Sequence, residues 1–143
     1  MRSEPGTSWQ TYAHDADIGV RGFGPTVAAA FEQAALALNA AIADLGTVHL
    51  TRSVPIACEA SEPELLLFAW LNEVIYEMVT RHMLFVRFSV LIDGTRLTAT
   101  ATGEAIDRDR HHPAVEPKGA TLTDLRVLRR EDGSWMAQCV IDV

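Results

Sequence analysis

The run His14-Asp15-Ala16-Asp17-Ile18-Gly19 puts an imidazole and two carboxylates together just where an apolar period-two pattern begins. A carboxylate from this run that faces a site would offer hard oxygen to a divalent cation. As turn acids ahead of a strand, both would simply be solvated. The other end of the chain offers the same chemistry. In Val140-Ile141-Asp142-Val143 a carboxylate interrupts an apolar strand beside the terminal carboxylate. Such oxygens suit Ca²⁺ and Mg²⁺, and a site with few protein ligands keeps several waters. The plain alternative is a frayed terminus whose charge aids solubility. A third grouping is the polar segment Asp107 to Lys118, with Arg108, Asp109, Arg110, His111, His112 and Glu116 inside it and Glu104 ahead of it. Adjacent histidines lack the i,i+4 spacing of H-E-x-x-H, and no third ligand is placed, which argues against zinc. A charged surface loop is the default for such a segment, while its length without regular pattern favours binding.

Other chemistries are missing their signatures. There is no G-x-x-x-x-G-K-[ST] phosphate loop, no G-x-S-x-G elbow and no Cys-His nucleophile pair. Cys58 and Cys139, the only cysteines, lie in apolar runs and read as buried free thiols in a reducing cytoplasm. The chain carries 12 basic and 19 acidic residues, a formal charge of -7, so strong unaided nucleic-acid binding is not expected. Lys118 is the one lysine, so any lysine chemistry must use it. No run approaches the roughly 18 apolar residues of a membrane span, and the first ten residues lack the apolar core of a signal peptide.

These groups need a frame to position them. A chain of 143 residues, 48% hydrophobic and 22% charged, is one globular domain by the usual priors. We expect a flexible segment over residues 1–8 and the domain over 9–143. Trp9 to Tyr12 reads as a short strand, and Ile18, Val20 and Gly22 as one face of a second. Thr26 is a natural N-cap for a helix with Val27, Phe31, Ala34, Leu38 and Ile42 at helical spacing, stopped by Gly46. Val48 to Cys58 alternates as a strand of about ten residues, with Pro55 suggesting an edge or bulge. Ser61-Glu62-Pro63-Glu64 has the form of a capping box before a helix reaching Arg81, apolar on more than one face and therefore central. Leu84 to Ile92 and Leu97 to Thr102 form a hairpin about Asp93-Gly94. Thr121 to Leu128 and Ser134 to Val143 form another about Glu131-Asp132-Gly133. Two helices segregated from a mostly antiparallel or mixed sheet predict an α+β domain. If the strand from Asp17 neighbours the final strand, the two acids converge at one sheet end. Two charges about 4 Å apart repel by about 4 kcal/mol at an effective dielectric near 20, a repulsion that a divalent cation relieves.

Taken together, the motifs resemble the archease family. Tyr12-Ala13-His14-Asp15-Ala16-Asp17-Ile18-Gly19-Val20 is similar to its signature, with Asp15 where Thr is usual. The likeness continues through Phe31-Glu32-Gln33-Ala34-Ala35, Glu64-Leu65-Leu66, Trp70-Leu71-Asn72-Glu73, Gly103-Glu104 and His111. It resumes at Glu116-Pro117-Lys118-Gly119-Ala120-Thr121 and closes with Trp135-Met136-Ala137 and Ile141-Asp142-Val143. Gly119 stands where Ala is common, and Leu122-Thr123-Asp124 replaces an aromatic-His step. The resemblance implies an accessory protein, not an enzyme, which activates an RtcB-type RNA ligase in tRNA splicing and RNA repair. It implies promotion of ligase guanylylation and of multiple turnover. It also implies a divalent cation, Ca²⁺ or Mg²⁺/Mn²⁺, held by Asp17, Asp142 and an oxygen of Val143. His14, Asp15, Glu104, His111, Glu116 and Lys118 become candidates for the functional surface. A broader chaperone or adaptor using the same acidic surface is the alternative. A hydrolase acting alone through Asp17 and Asp142 would need a positioned base or electrophile, and none accompanies them.

Overall fold

The computed structural model describes residues 6–143, and the expected flexible segment therefore falls largely outside the described residues. Strand β1 (Ser8–His14) pairs antiparallel with β2 (Asp17–Gly24) across a two-residue turn. After helix α1 (Val27–Ile42) come β3 (Arg52–Glu59), α2 (Pro63–Arg81), β4 (Met83–Asp93) and β5 (Arg96–Ala105). A single helical turn, α3 (Arg108–His111), precedes β6 (Gly119–Ala120), β7 (Arg126–Arg129) and β8 (Trp135–Asp142). The strands form two antiparallel sheets. One runs β1-β2-β8-β6, with β7 also on β8, and the other runs β3-β5-β4. Helix α1 packs on β2, β8 and β4, while α2 packs on β3 and β6. The expected α+β class holds.

Helix α1 starts as its sequence requires, with the Thr26 hydroxyl accepting from the Ala29 amide at 3.1 Å. Gly22 explains how closely it seats, because a Cβ there would lie 2.1 Å from the Ala30 carbonyl oxygen. The helix is buried nearly all round, including Gln33 and Asn39. Asn39 donates to the Ala35 carbonyl and accepts from the Phe85 amide, which stands at a bulge where β4 slips register between Phe85 and Arg87. Glu32, farther up α1, accepts from the Val90 amide. Two polar side chains of α1 thus close the free edge of β4 against strand addition. Asn39→Ala is expected to destabilise the fold by about 2 kcal/mol, because it leaves a buried Phe85 amide unpaired; urea denaturation checks this.

Several expectations need correction. Helix α1 ends at Ile42 rather than at Gly46, which sits in a 3-10 turn and donates its amide to the Asp44 carboxylate. The capping box does not form, for Glu62 takes the N-cap place of α2 without a side-chain bond. Pro63 supplies the start instead, its fixed φ suiting a first turn whose amides lack partners anyway. Strand β3 begins only at Arg52, since the His49 amide bonds the Glu104 carboxylate and not a neighbouring strand. It is an edge strand, as Pro55 suggested. Helix α2 is less enclosed than α1, leaving Leu65, Tyr76 and Val79 exposed. Of the strand expected over Thr121 to Leu128 only Arg126 to Leu128 forms, within β7, and β6 precedes it. Residues 121–125 bulge from regular pairing, while the Thr121 amide donates to the Val140 carbonyl and the Thr123 carbonyl accepts from the Val140 amide.

Trp70 anchors α2 in the core, its indole donating to the Phe31 carbonyl at 3.0 Å and its ring meeting Phe88 edge-on. Both cysteines are free, and burial pushes each thiol up to about 11. Little thiolate then exists at neutral pH. Cys139 is expected to resist iodoacetamide in the folded protein and to react once guanidinium unfolds it, as mass spectrometry would show.

Candidate functional site

Antiparallel pairing of β2 with β8 sets Ile18 opposite Ile141 at its end, and Asp17 and Asp142 are the residues next to that last pair. Ile18 and Ile141 point inward, so alternation turns both carboxylates to the outer face of the sheet. Val143 closes the arrangement. Its amide donates to Asp17 Oδ1 at 3.4 Å, which brings the last residue's backbone oxygens beside the same carboxylate. Three oxygen sources thus lie near the same end of the β2–β8 pair. Among the described residues no three His, Cys, Asp or Glu side chains group as a ready-made cage. A cation held by two carboxylates and a backbone oxygen would therefore complete its shell with water, as hard cations do.

His14 is in register with Asp17 on the far side, pairing across the β1–β2 ladder. Its Nε2 lies 3.9 Å from Asp124 Oδ2, a residue the sequence reading named only as part of a departure from the family pattern. Tyr12 donates its hydroxyl to the same oxygen at 3.4 Å. Burial and the neighbouring Asp124 carboxylate raise Tyr12 above its ordinary range, so the phenol keeps its proton. The ring lies over Gly19, where a Cβ would come within 2.0 Å of it, and over it sits the Arg21 guanidinium at 4.0 Å. A side chain at position 19 would therefore displace the Tyr12 ring. Asp124 reaches this position where residues 121–125 bulge from regular pairing with β8, with a positive φ of 53° at Asp124 itself. Asp15 behaves differently from Asp17. It occupies the β1–β2 turn at φ 52° with its side chain 96% exposed, a solvated turn acid.

Lys118 approaches from the other edge of β8. Its amide donates to the Asp142 carbonyl at 2.8 Å, and Asn72 of α2 fixes the following turn by accepting from the Ala120 amide at 2.9 Å. Lys118 and Glu116 are exposed while Pro117 between them is buried, and both line a cleft against α2.

Glu104 and His111, expected on the functional surface, are buried instead. Glu104 takes both arms of the Arg110 guanidinium at 2.7 and 2.8 Å, and its Oε2 also accepts from the His49 amide at 2.6 Å. The Asp107 amide donates to His111 Nδ1 at 2.8 Å, so the ring proton is on Nε2, which donates to Glu104 Oε2 at 3.1 Å. The Arg110 bonds, helped by the other donors, hold the Glu104 carboxyl far below the usual carboxylate range against the opposing effect of burial. The polar segment is therefore pinned at Glu104, at the Ile42 carbonyl by the Ala114 amide, and at Asp142 by Lys118. Arg110 was the missed member. Its type gave no signal, because the sequence holds many arginines and only the fold sets this one beside Glu104.

Comparison with known proteins identifies the family. Residues 9–143 match the model of the Archease protein family (MTH1598/TM1083). Protein archease of Pyrococcus furiosus is 38% identical over 139 residues, covering 94% of this chain and 98% of that protein. The Thermococcus gammatolerans protein is 37% identical with the same coverage. Among solved structures, Methanobacterium thermoautotrophicum protein 1598 superposes with a TM-score of 0.83 at 29% identity, covering 95% of this chain and 99% of that one. A Thermotoga maritima archease described as a possible chaperone shares the fold with a TM-score of 0.62 at 21% identity, covering 100% and 98%. With its signature acid set against the C-terminal strand and its match running from the first strand to the last residue, the chain belongs to the archease family.

Proposed function

We propose that this protein is a cation-binding accessory factor that activates an RtcB-type RNA ligase in tRNA splicing and RNA repair, promoting ligase guanylylation and sustained turnover. The observation that supports the reading is the Val143 amide on Asp17, with Asp17 and Asp142 each next to the Ile18–Ile141 pair that joins β2 to β8. These residues would hold Ca²⁺ or Mg²⁺/Mn²⁺, and the cation, when bound, supplies positive charge for oxygen ligands of a partner or nucleotide. The protein's own part is positional. Asp17 and Asp142 supply the negative charge, the pinned Lys118 segment sets the edge of the surface, and His14 borders it. Nucleic acid need not touch this acidic chain for the role, and a cytoplasmic place beside the ligase belongs to the same reading. No helix among the described residues is long and apolar enough to cross a membrane.

The direct test is a guanylylation and multiple-turnover assay of a cognate ligase with and without this protein, alongside calorimetric titration with Ca²⁺ and Mn²⁺. Stimulation together with saturable cation binding supports the reading, and an unstimulated ligase refutes it. A broader chaperone or adaptor role draws on a different observation, the exposed apolar residues Leu65, Tyr76 and Val79 along α2.

A further inference from the structure

Two clefts share the Glu116-Pro117 segment and are both walled by α2, the first mixed in its lining and the second mainly apolar. The first, about 260 Å³, opens between the end of α2, the start of β4 and the segment Pro113 to Pro117. Met78, Met83 and Leu84 form its depth, with His82 and Arg108 at its border. The second, about 580 Å³, is lined by Ile75, Tyr76, Val79 and Lys118 among others. Val79, Glu116 and Pro117 belong to both, so the clefts make one trough. Tyr76 and Val79, 60% and 38% exposed, stand one turn apart on its wall.

Length and charge select the occupant. From Asn72 to His82 the wall spans about 15 Å at the rise of a helix. That suits an amphipathic helix laying i, i+3 or i+4 and i+7 anchors into a groove, and exceeds the reach of one small apolar ligand. The chain as a whole carries a formal charge of -7, yet Arg108 and Lys118 flank this trough. Neither side chain has an ion-pair partner among the described residues, and Glu116 is the one acid between them along the lining. The local charge is thus reversed against the average, and it favours an anionic segment.

We propose that this trough docks an amphipathic helix of a partner protein, its apolar face filling the two clefts and its acidic residues reaching Arg108 and Lys118. The inference rests on the accessory reading only for there being a protein partner.

The experiment is a titration of the full-length ¹⁵N-labelled protein, followed by NMR without cation or ligase. The probe is a model helical peptide with Leu at i, i+3, i+4 and i+7 and Glu on its polar face. A Lys-for-Glu counterpart, decanoate and oligouridylate serve as comparison ligands. The Glu peptide is expected to shift the amides of Tyr76, Val79, Val115 and Lys118. Reversing charge with Arg108→Glu and Lys118→Glu is expected to weaken it at least tenfold and to strengthen the Lys peptide. Tyr76→Asp with Val79→Asp is expected to abolish binding, with an unchanged thermal midpoint because both positions are exposed. Shifts elsewhere, no shifts, affinity indifferent to charge reversal, or occupation by decanoate or oligouridylate in place of the peptide would each overturn the proposal. The ligase assay separates the two readings. The Tyr76→Asp, Val79→Asp variant is expected to raise the concentration needed for half-maximal stimulation while keeping the plateau. If the wild type stimulates no ligase, the activator role falls, and the peptide titration still decides the trough.

Discussion

Asp17→Asn is expected to lower Ca²⁺ affinity by about 100-fold or more and to abolish stimulation of the ligase, with Asp142→Asn doing the same. Even groups that only orient a metal ligand carry 10–100-fold in affinity by general experience, and here a charged ligand itself is lost. The fold gives this test an internal control. Asp142 is exposed and Asp17 half-buried, and both face outward from the core. Without cation, neutralising one of two nearby carboxylates removes repulsion, so the variants should unfold no sooner than the wild type. With Ca²⁺ at about 100 times its dissociation constant, linkage adds about 2.7 kcal/mol to the wild type, and the variants should gain far less. Differential scanning calorimetry with Ca²⁺ and with chelator reads both halves. Ca²⁺ stabilising the Asp17→Asn protein as much as the wild type would place the cation elsewhere.

The second large effect belongs to Glu104. Glu104→Ala is expected to cost about 2–4 kcal/mol, because the His49 amide and the buried His111 Nε2–H lose their acceptor together. Glu104→Gln keeps the shape but leaves one arm of the Arg110 fork facing an amide, and should fall between Ala and wild type. The pH dependence has a definite sign. Glu104 is held far below its ordinary value in the folded state, so its contribution is fully present above the unfolded value near 4.5. It is lost as pH falls below that value toward the folded one. The wild type should therefore lose more stability than Glu104→Gln between about pH 4.5 and pH 2, in urea titrations at each pH. Parallel curves would show that Glu104 is not the carboxylate that acid discharges. The same pin positions the segment leading to Lys118, so Glu104→Ala should also weaken ligase stimulation at temperatures where the fold remains intact.

Much of this molecule was legible in its residue order. Period-two runs located the central strands, and 3.6-period runs located both long helices, because each alternation reflects which side chains must leave water. Thr26, Asp93-Gly94 and Asp132-Gly133 acted as expected, since caps and tight turns are local chemistry. The two terminal acids could be named as partners from motif likeness, but whether they meet is a question of strand order. Local patterns cannot answer it, for pairing β2 with β8 joins residues more than a hundred positions apart. The misreadings share that cause. Glu104 and His111 looked like surface groups because charge usually stays in water, and only the fold brings Arg110 and the His49 amide to a buried carboxylate. Ser61 and Glu64 had the capping pattern, but Glu62 took the cap position and made no side-chain bond. Sequence alone determined the types of the elements and the chemistry available at each end. Tertiary structure decided which of those groups share a face, because register and strand order arise from non-local pairing and burial rather than from neighbouring residues.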